Sequence, residues 1–298
     1  MPSFADRLIQ QVLAKDSRCI VGLDPRVEQM PAFLRGSGPY AAITAFHELV
    51  IDAVADLVPA VKPQLAFFEQ YGVAGMQAFE NTVLKAKQRG LLVIADGKRN
   101  DISSTAEAYA NAYLGADGFD CDALTATPYL GRDSLVPFVE ACKKHGKGLF
   151  VVLKTSNPGS QDFEDQPLQA TGRPLYEKIG GVLNDLGDDL VGESGYSSIG
   201  AVIGATFPEE GRRLRALMPK ALILVPGYGA QGGSANAAAE CFNEDGLGAV
   251  VNSSRGITYA FGDPDISREA FVRSVRENTL RMIEEVNAAV KTTTPALR

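Results

Sequence analysis

The sequence has no tryptophan, two histidines and four cysteines in 298 residues. The cysteines (Cys19, Cys121, Cys142, Cys241) form no CxxC pair, and none adjoins a histidine. A disulfide scaffold and a cysteine-based zinc site are thereby excluded, and the usage fits a reducing cytosol. His47 sits inside an apolar helical pattern and reads as a packed or surface residue, not a catalyst. His145 closes Lys143-Lys144-His145-Gly146, a helix C-terminus where positive charge suits the dipole. Neither histidine is expected to serve a triad, and no metal site is expected. Basic residues are also in short supply, 29 against 36 acidic, for a net charge of −7. That argues against nucleic acid as a partner and leaves room only for a local basic pocket that takes a small anion. No apolar run reaches 18 residues, so no membrane span is expected, and the first residues carry no signal-peptide core. The expected location is the cytoplasm.

What is present is a regular alternation. Ser3 and Asp6 mark a capped lead-in helix with Phe4, Leu8 and Val12 at helical spacing. Apolar runs that read as strands then follow at 18–23, 60–67, 91–95, 123–126, 148–154, 199–205, 221–225 and 248–252. Helical patterns separate them at 41–58, 72–89, 102–113, 133–145, 174–186, 208–218 and 234–243, and a long helix closes the chain at 268–290. The tail, 291–298, is polar and reads as frayed. Eight strand-then-helix units with no second composition regime predict an α/β protein, a single-domain (β/α)8 TIM barrel over 1–298. No GxGxxG follows the first strand, which counts against a dinucleotide fold.

Barrels of this kind carry their sites at the C-terminal ends of the strands. There the chain places Asp24, Lys62, Asp96, Lys98 and Asp101, then Lys154, Ser156 and Thr206, and finally Gly227, Ser253, Ser254 and Arg255. Strand ends meet water and are often polar. Asp24, Lys62, Asp96 and Lys98 follow buried apolar runs directly, however, and buried charges must be paired. In Asp96-Gly97-Lys98-Arg99-Asn100-Asp101, period two puts Asp96 and Lys98 on one face. Asp101 can also cap the next helix. A lysine held between carboxylates stays protonated, which suits a proton donor and not a Schiff-base amine. Pro226-Gly227-Tyr228-Gly229-Ala230-Gln231-Gly232-Gly233 is a glycine-rich loop with exposed backbone N–H groups. With Arg255 after the last strand, it lies where barrels bind phosphate.

These residues resemble the orotidine 5′-phosphate decarboxylases. Asp96-x-Lys98-x-x-Asp101-Ile102-x-x-Thr105, the loop 226–233 and the strand-1 Asp24 carry the likeness. The segments 153–160 and 194–201 resemble the longer bacterial subgroup, and the match spans about 20–257. The resemblance implies a cofactor-independent conversion of orotidine 5′-monophosphate to UMP and CO2, the last step of de novo pyrimidine nucleotide synthesis. It implies a charge network of Lys62, Asp96, Lys98 and Asp101, with Lys98 protonating C6 and Asp96 against the departing carboxylate. Asp24 and Lys62 are then expected at the ribose, Ser156 at the pyrimidine edge, and Gln231 and Arg255 at the phosphate, with Pro226 in the lid loop. It further implies a homodimer in which Asp101 and Thr105 reach the partner's site. Three alternatives are a metal-dependent sugar-phosphate decarboxylase, a Schiff-base aldolase, and a nucleotide-binding barrel without catalysis.

Overall fold

The computed structural model describes residues 2–229 and 232–293. Within them eight parallel strands close into a barrel in chain order, β1 pairing with both β2 and β8. The strands are β1 (Cys19–Leu23), β2 (Ala60–Pro63), β3 (Leu92–Arg99), β4 (Ala123–Ala126), β5 (Gly148–Lys154), β6 (Ser197–Ile203), β7 (Ala221–Val225) and β8 (Ala249–Ser253). The helices are α1 (Phe4–Lys15), α2 (Pro39–Val54), α3 (Leu65–Glu69), α4 (Gly72–Gln88), α5 (Ser103–Leu114) and α6 (Arg132–His145). After β5 come α7 (Leu175–Gly187), α8 (Pro208–Leu217), α9 (Ala235–Ala239), α10 (Arg255–Thr258) and α11 (Arg268–Thr293).

Side chains alternate across a strand, so one barrel wall serves two cores. Ile20, Ala60, Leu92, Ile94, Ala123, Phe150, Val202, Leu222, Leu224 and Val250 form one cluster inside the barrel. Their neighbours, among them Val21, Val61, Val93, Leu124, Val151, Ile223 and Val251, form the other with the helices. Helix α1 plugs the N-terminal end, with Phe4, Leu8 and Val12 joining the inner cluster. Ser3 caps it, accepting from the Asp6 N–H at 3.1 Å. The Phe4 ring meets Phe150 edge-on at 5.9 Å. Position 148 must be glycine for this plug to seat, because a Cβ there would stand 2.2 Å from the Phe4 ring.

Several boundaries differ from the expectation. β2 stops at Pro63, which has no N–H to extend the ladder, and 65–69 form α3 with Leu65 and Phe68 inward. β3 runs four residues past Ala95, so Asp96 and Lys98 lie within the strand. Helix α5 begins at Ser103, and Asp101 does not cap it; its carboxylate instead accepts the Ile102 N–H, at 2.8 Å. The helix expected over 234–243 is five residues long, and a short α10 at Arg255 was not foreseen. α11 continues to Thr293, so 291–293 are helical, and 294–298 lie outside the described residues. His47 is fully buried and its Nδ1 lies 3.0 Å from Thr82 Oγ1, so of the packed and surface readings the structure takes the packed one. No helix among the described residues is long and apolar enough to cross a membrane.

Candidate active site

The inward parity of each strand continues past the apolar core into polar residues. Ile20 leads by steps of two to Gly22 and Asp24, and Ala60 leads to Lys62 and Gln64. Ile94 leads to Asp96 and Lys98, Ala123 to Thr125, and Val250 to Asn252 and Ser254. At the C-terminal mouth most of these residues line a cavity of about 350 Å³, with Gly22 and Thr125 just behind it. Asp24, Lys62, Asp96, Lys98, Ser156, Pro226 and Arg255 all border it, together with Gln64, Asn157 and Asn252. Gly22 makes room for this floor, since a Cβ there would meet Ser254 Oγ at 1.9 Å.

Asp96 is the hub. Its Oδ2 accepts from Lys62 Nζ at 2.5 Å and Gln64 Nε2 at 3.0 Å, and its Oδ1 accepts from Lys98 Nζ at 2.7 Å and Thr125 Oγ1 at 3.0 Å. Burial alone would raise the Asp96 pKa, but the Lys62 and Lys98 charges outweigh it and hold the carboxyl well below the usual range. Burial would likewise lower Lys62. The charges of Asp96 and then Asp24 reverse the balance, and its ammonium is held above the ordinary value. Both groups therefore stay ionised at neutral pH. Lys98 differs in exposure, since about 45% of its side chain is open to the cavity mouth. It is a cation anchored at one side and free to meet a ligand.

Lys98 is placed by a break in the strand. Its φ is +47°, left-handed for a residue with a Cβ, and the β3–β4 register shifts between Ala95 and Arg99. Thr125 secures the break. Its hydroxyl, fully buried, accepts the Lys98 N–H at 2.9 Å while donating to Asp96. Arg99 points away from the cavity, pairing with Glu69 and donating to the Tyr113 hydroxyl at 2.8 Å.

Two buried acceptors along the cavity, Asp24 Oδ1 and Asn252 Oδ1, have no hydrogen-bond partner among the described residues. Unpaired buried acceptors call for a ligand with hydroxyl or N–H donors. On the far rim Gly227, Gly229 and Gly232 take positive φ, which only glycine adopts without strain, and Arg255 stands exposed at the start of α10. Gln231 lies outside the described residues.

Asp101 and Thr105 do not border the cavity. They stand at the surface beside exposed Ile102; the loop that carries exposed Tyr129 and Leu130 starts with the Thr127 N–H donating to the Arg99 carbonyl at 3.0 Å. Gln64, Thr125 and Asn252 are among the polar site residues that the motifs do not pick out. Parity was the available signal, since each lies two or four residues beyond an inner-core position. No group of three His, Cys, Asp or Glu side chains among the described residues is arranged to hold a metal.

Comparison with known proteins agrees with this geometry. The family model for orotidine 5′-phosphate decarboxylase / HUMPS matches residues 17–270. The chain is 47% identical to the orotidine 5′-phosphate decarboxylase of Rhodopirellula baltica, over 96% of this chain and 99% of that protein. It is 39% identical to that of Caldicellulosiruptor saccharolyticus, over 97% and 100%. The solved OMP decarboxylase of Leishmania donovani superposes with a TM-score of 0.76 at 31% identity, covering 97% of this chain and 98% of that one. A closed parallel barrel, a lysine–aspartate hub at its mouth and near-full-length relatives converge on one assignment: the chain belongs to the orotidine 5′-phosphate decarboxylase / HUMPS family.

Proposed function

We propose that the chain decarboxylates orotidine 5′-monophosphate to UMP and CO2, with Lys98 as the proton donor and no cofactor. The observation that carries the reading is the fourfold-anchored Asp96 with a half-exposed Lys98 beside it at the barrel mouth. The bond from C6 to the carboxylate breaks, CO2 leaves, and the electron pair stays on C6. Lys98 Nζ stabilises that charge and then transfers a proton to it. Solvent returns the proton to the lysine. Asp96 faces the departing carboxylate in this reading. Two such charges about 4 Å apart at an effective dielectric near 20 repel by roughly 4 kcal/mol. Fully relieved, that is worth about 10³ in rate, well short of the 10⁶-fold or more that enzymes typically supply. Most of the acceleration must therefore come from the preorganised ammonium groups and from closure of the 226–233 loop over the phosphate.

Asp24, Asn252 and Lys62 are assigned to the ribose, Ser156 to the base edge, and Arg255 with Gln231 to the phosphate. The unpaired Asp24 Oδ1 and Asn252 Oδ1 support the first assignment, and the position of Arg255 on the rim supports the last. The active form is assigned as a homodimer with Asp101 and Thr105 crossing to the neighbouring site. Their absence from the lining of their own cavity and the exposed Ile102 between them support this. Four free, buried cysteines support a reducing, cytoplasmic setting. The test is loss of the orotate ultraviolet band on incubation with purified protein in EDTA, with UMP identified as product. No loss in EDTA but loss with added magnesium would replace this mechanism with a metal-dependent one. No loss in either would leave a binding protein.

A further inference from the structure

The twenty residues between β5 and α7 make a loop longer than simple connection requires, and loops of that length usually carry function. Its organising group is Lys154, the last residue of β5, whose side chain is fully buried. The Lys154 ammonium donates to Asp165 Oδ1 at 2.6 Å and Ser160 Oγ at 3.2 Å, with Glu164 Oε2 at 3.6 Å. The rings of Phe207 and Tyr176 cover it at 4.5 and 5.7 Å. Glu164 then grips the residue after the lysine, accepting from the Thr155 N–H at 2.9 Å and the Thr155 hydroxyl at 2.7 Å. The next two residues, Ser156 and Asn157, line the cavity. Gly204 packs beneath them, and a Cβ on it would meet Ser156 at 3.0 Å.

A buried ammonium costs several kcal/mol to desolvate, and an apolar side chain could fill the same volume without that cost. What the charge adds is a fixed connection. It draws in two carboxylates from ten and eleven residues further along the chain, and one of them holds the backbone immediately before Ser156. We propose that Lys154, through Glu164 and Asp165, is a positioning residue that sets Ser156 and Asn157 for the base of the bound nucleotide. The proposal rests on the reading of Ser156 as the base-edge contact.

The test compares binding of UMP and of ribose 5-phosphate, which lacks the base, to the full chain and to Ser156→Ala, Lys154→Met and Asp165→Asn variants by calorimetry. Loss of one or two neutral hydrogen bonds predicts about tenfold weaker UMP binding in each variant, with ribose 5-phosphate unchanged. Asp165 is partly exposed, so Asp165→Asn decides the matter if Lys154→Met does not fold. Unaltered UMP affinity in Ser156→Ala would remove the base-edge reading and the proposal with it. Weakened UMP binding in Ser156→Ala but not in the other two would overturn the proposal alone. Equal losses for UMP and ribose 5-phosphate in Lys154→Met and Asp165→Asn would also overturn it, by reducing Lys154 to a general support of the fold.

Discussion

Replacing Asp96 by Asn removes the one carboxylate shared by two ammonium groups. Lys62 and Asp96 are both more than 90% buried, and their N···O separation is 2.5 Å. Unit charges about 3 Å apart at an effective dielectric near 20 attract by roughly 5 kcal/mol. Desolvation of the two ions offsets much of that attraction, so the intact pair contributes little net stability. The variant is different, because Lys62 stays buried without its main counter-charge. Breaking a buried pair in this way costs about 3–5 kcal/mol. The half-exposed Lys98 adds little, since its contact with Asp96 is screened. The pH dependence should change as well. In the parent, Asp96 is depressed, so its contribution is present above about pH 4 and lost as pH falls through its folded value. Lys62 is raised, so its contribution is full below its ordinary value and lost as pH rises through the folded one. The pair is therefore level from about pH 5 to 9. In the variant, burial outweighs the remaining attraction of Asp24, and Lys62 falls below its ordinary value. Its stability should then rise with pH where the parent is level. Urea unfolding of the unliganded protein at pH 6, 7, 8 and 9 measures both effects. A loss under about 1 kcal/mol at pH 7, or curves that run parallel in pH, would refute the reasoning.

Thr125→Val should keep the shape of the barrel wall but release both Asp96 Oδ1 and the Lys98 N–H. Turnover should fall on the order of ten- to a hundredfold, as for 1–3 kcal/mol of lost hydrogen bonding, with UMP affinity retained and Thr125→Ser restoring rate; normal turnover in the valine variant would sink the clamp. Arg255→Ala should weaken UMP by about 1.5–3 kcal/mol, the worth of a hydrogen bond to a charged group, while uridine binds as before. Equal losses for both in a titration would argue against a phosphate contact. Inactive Lys98→Ala and inactive Asp101→Ala proteins, mixed and allowed to exchange subunits, should recover part of the activity, because one hybrid site holds both residues. No recovery after exchange is shown by mass spectrometry would exclude the shared site.

The eight strands were legible because each carries a short, mostly apolar run, and burial on both faces demands that pattern. The charged ends were legible for the same reason: Asp24, Lys62, Asp96 and Lys98 interrupt runs that would otherwise be core. Boundaries were read less well where local pattern is ambiguous. Leu65-Ala66-Phe67-Phe68 satisfies strand and helix alike, and only packing of Leu65 and Phe68 against the core selects α3. Asp101 and Thr105 illustrate the opposite case. Their spacing from Lys98 stands out in the motif, yet the single chain leaves them on its surface.

By itself, the sequence determined the strand–helix order and which residues of a strand share a face, because both depend on geometry within a few residues. The tertiary structure alone decided which polar groups meet. Gln64, Lys62 and Thr125 converge on Asp96 from 29 to 34 residues away, and Lys154 finds Asp165 across a loop. Such meetings follow from the register of neighbouring strands and the bulge at Lys98. A one-residue slip would turn each of these side chains to the opposite face, and no local pattern in the chain records which register the closed barrel adopts.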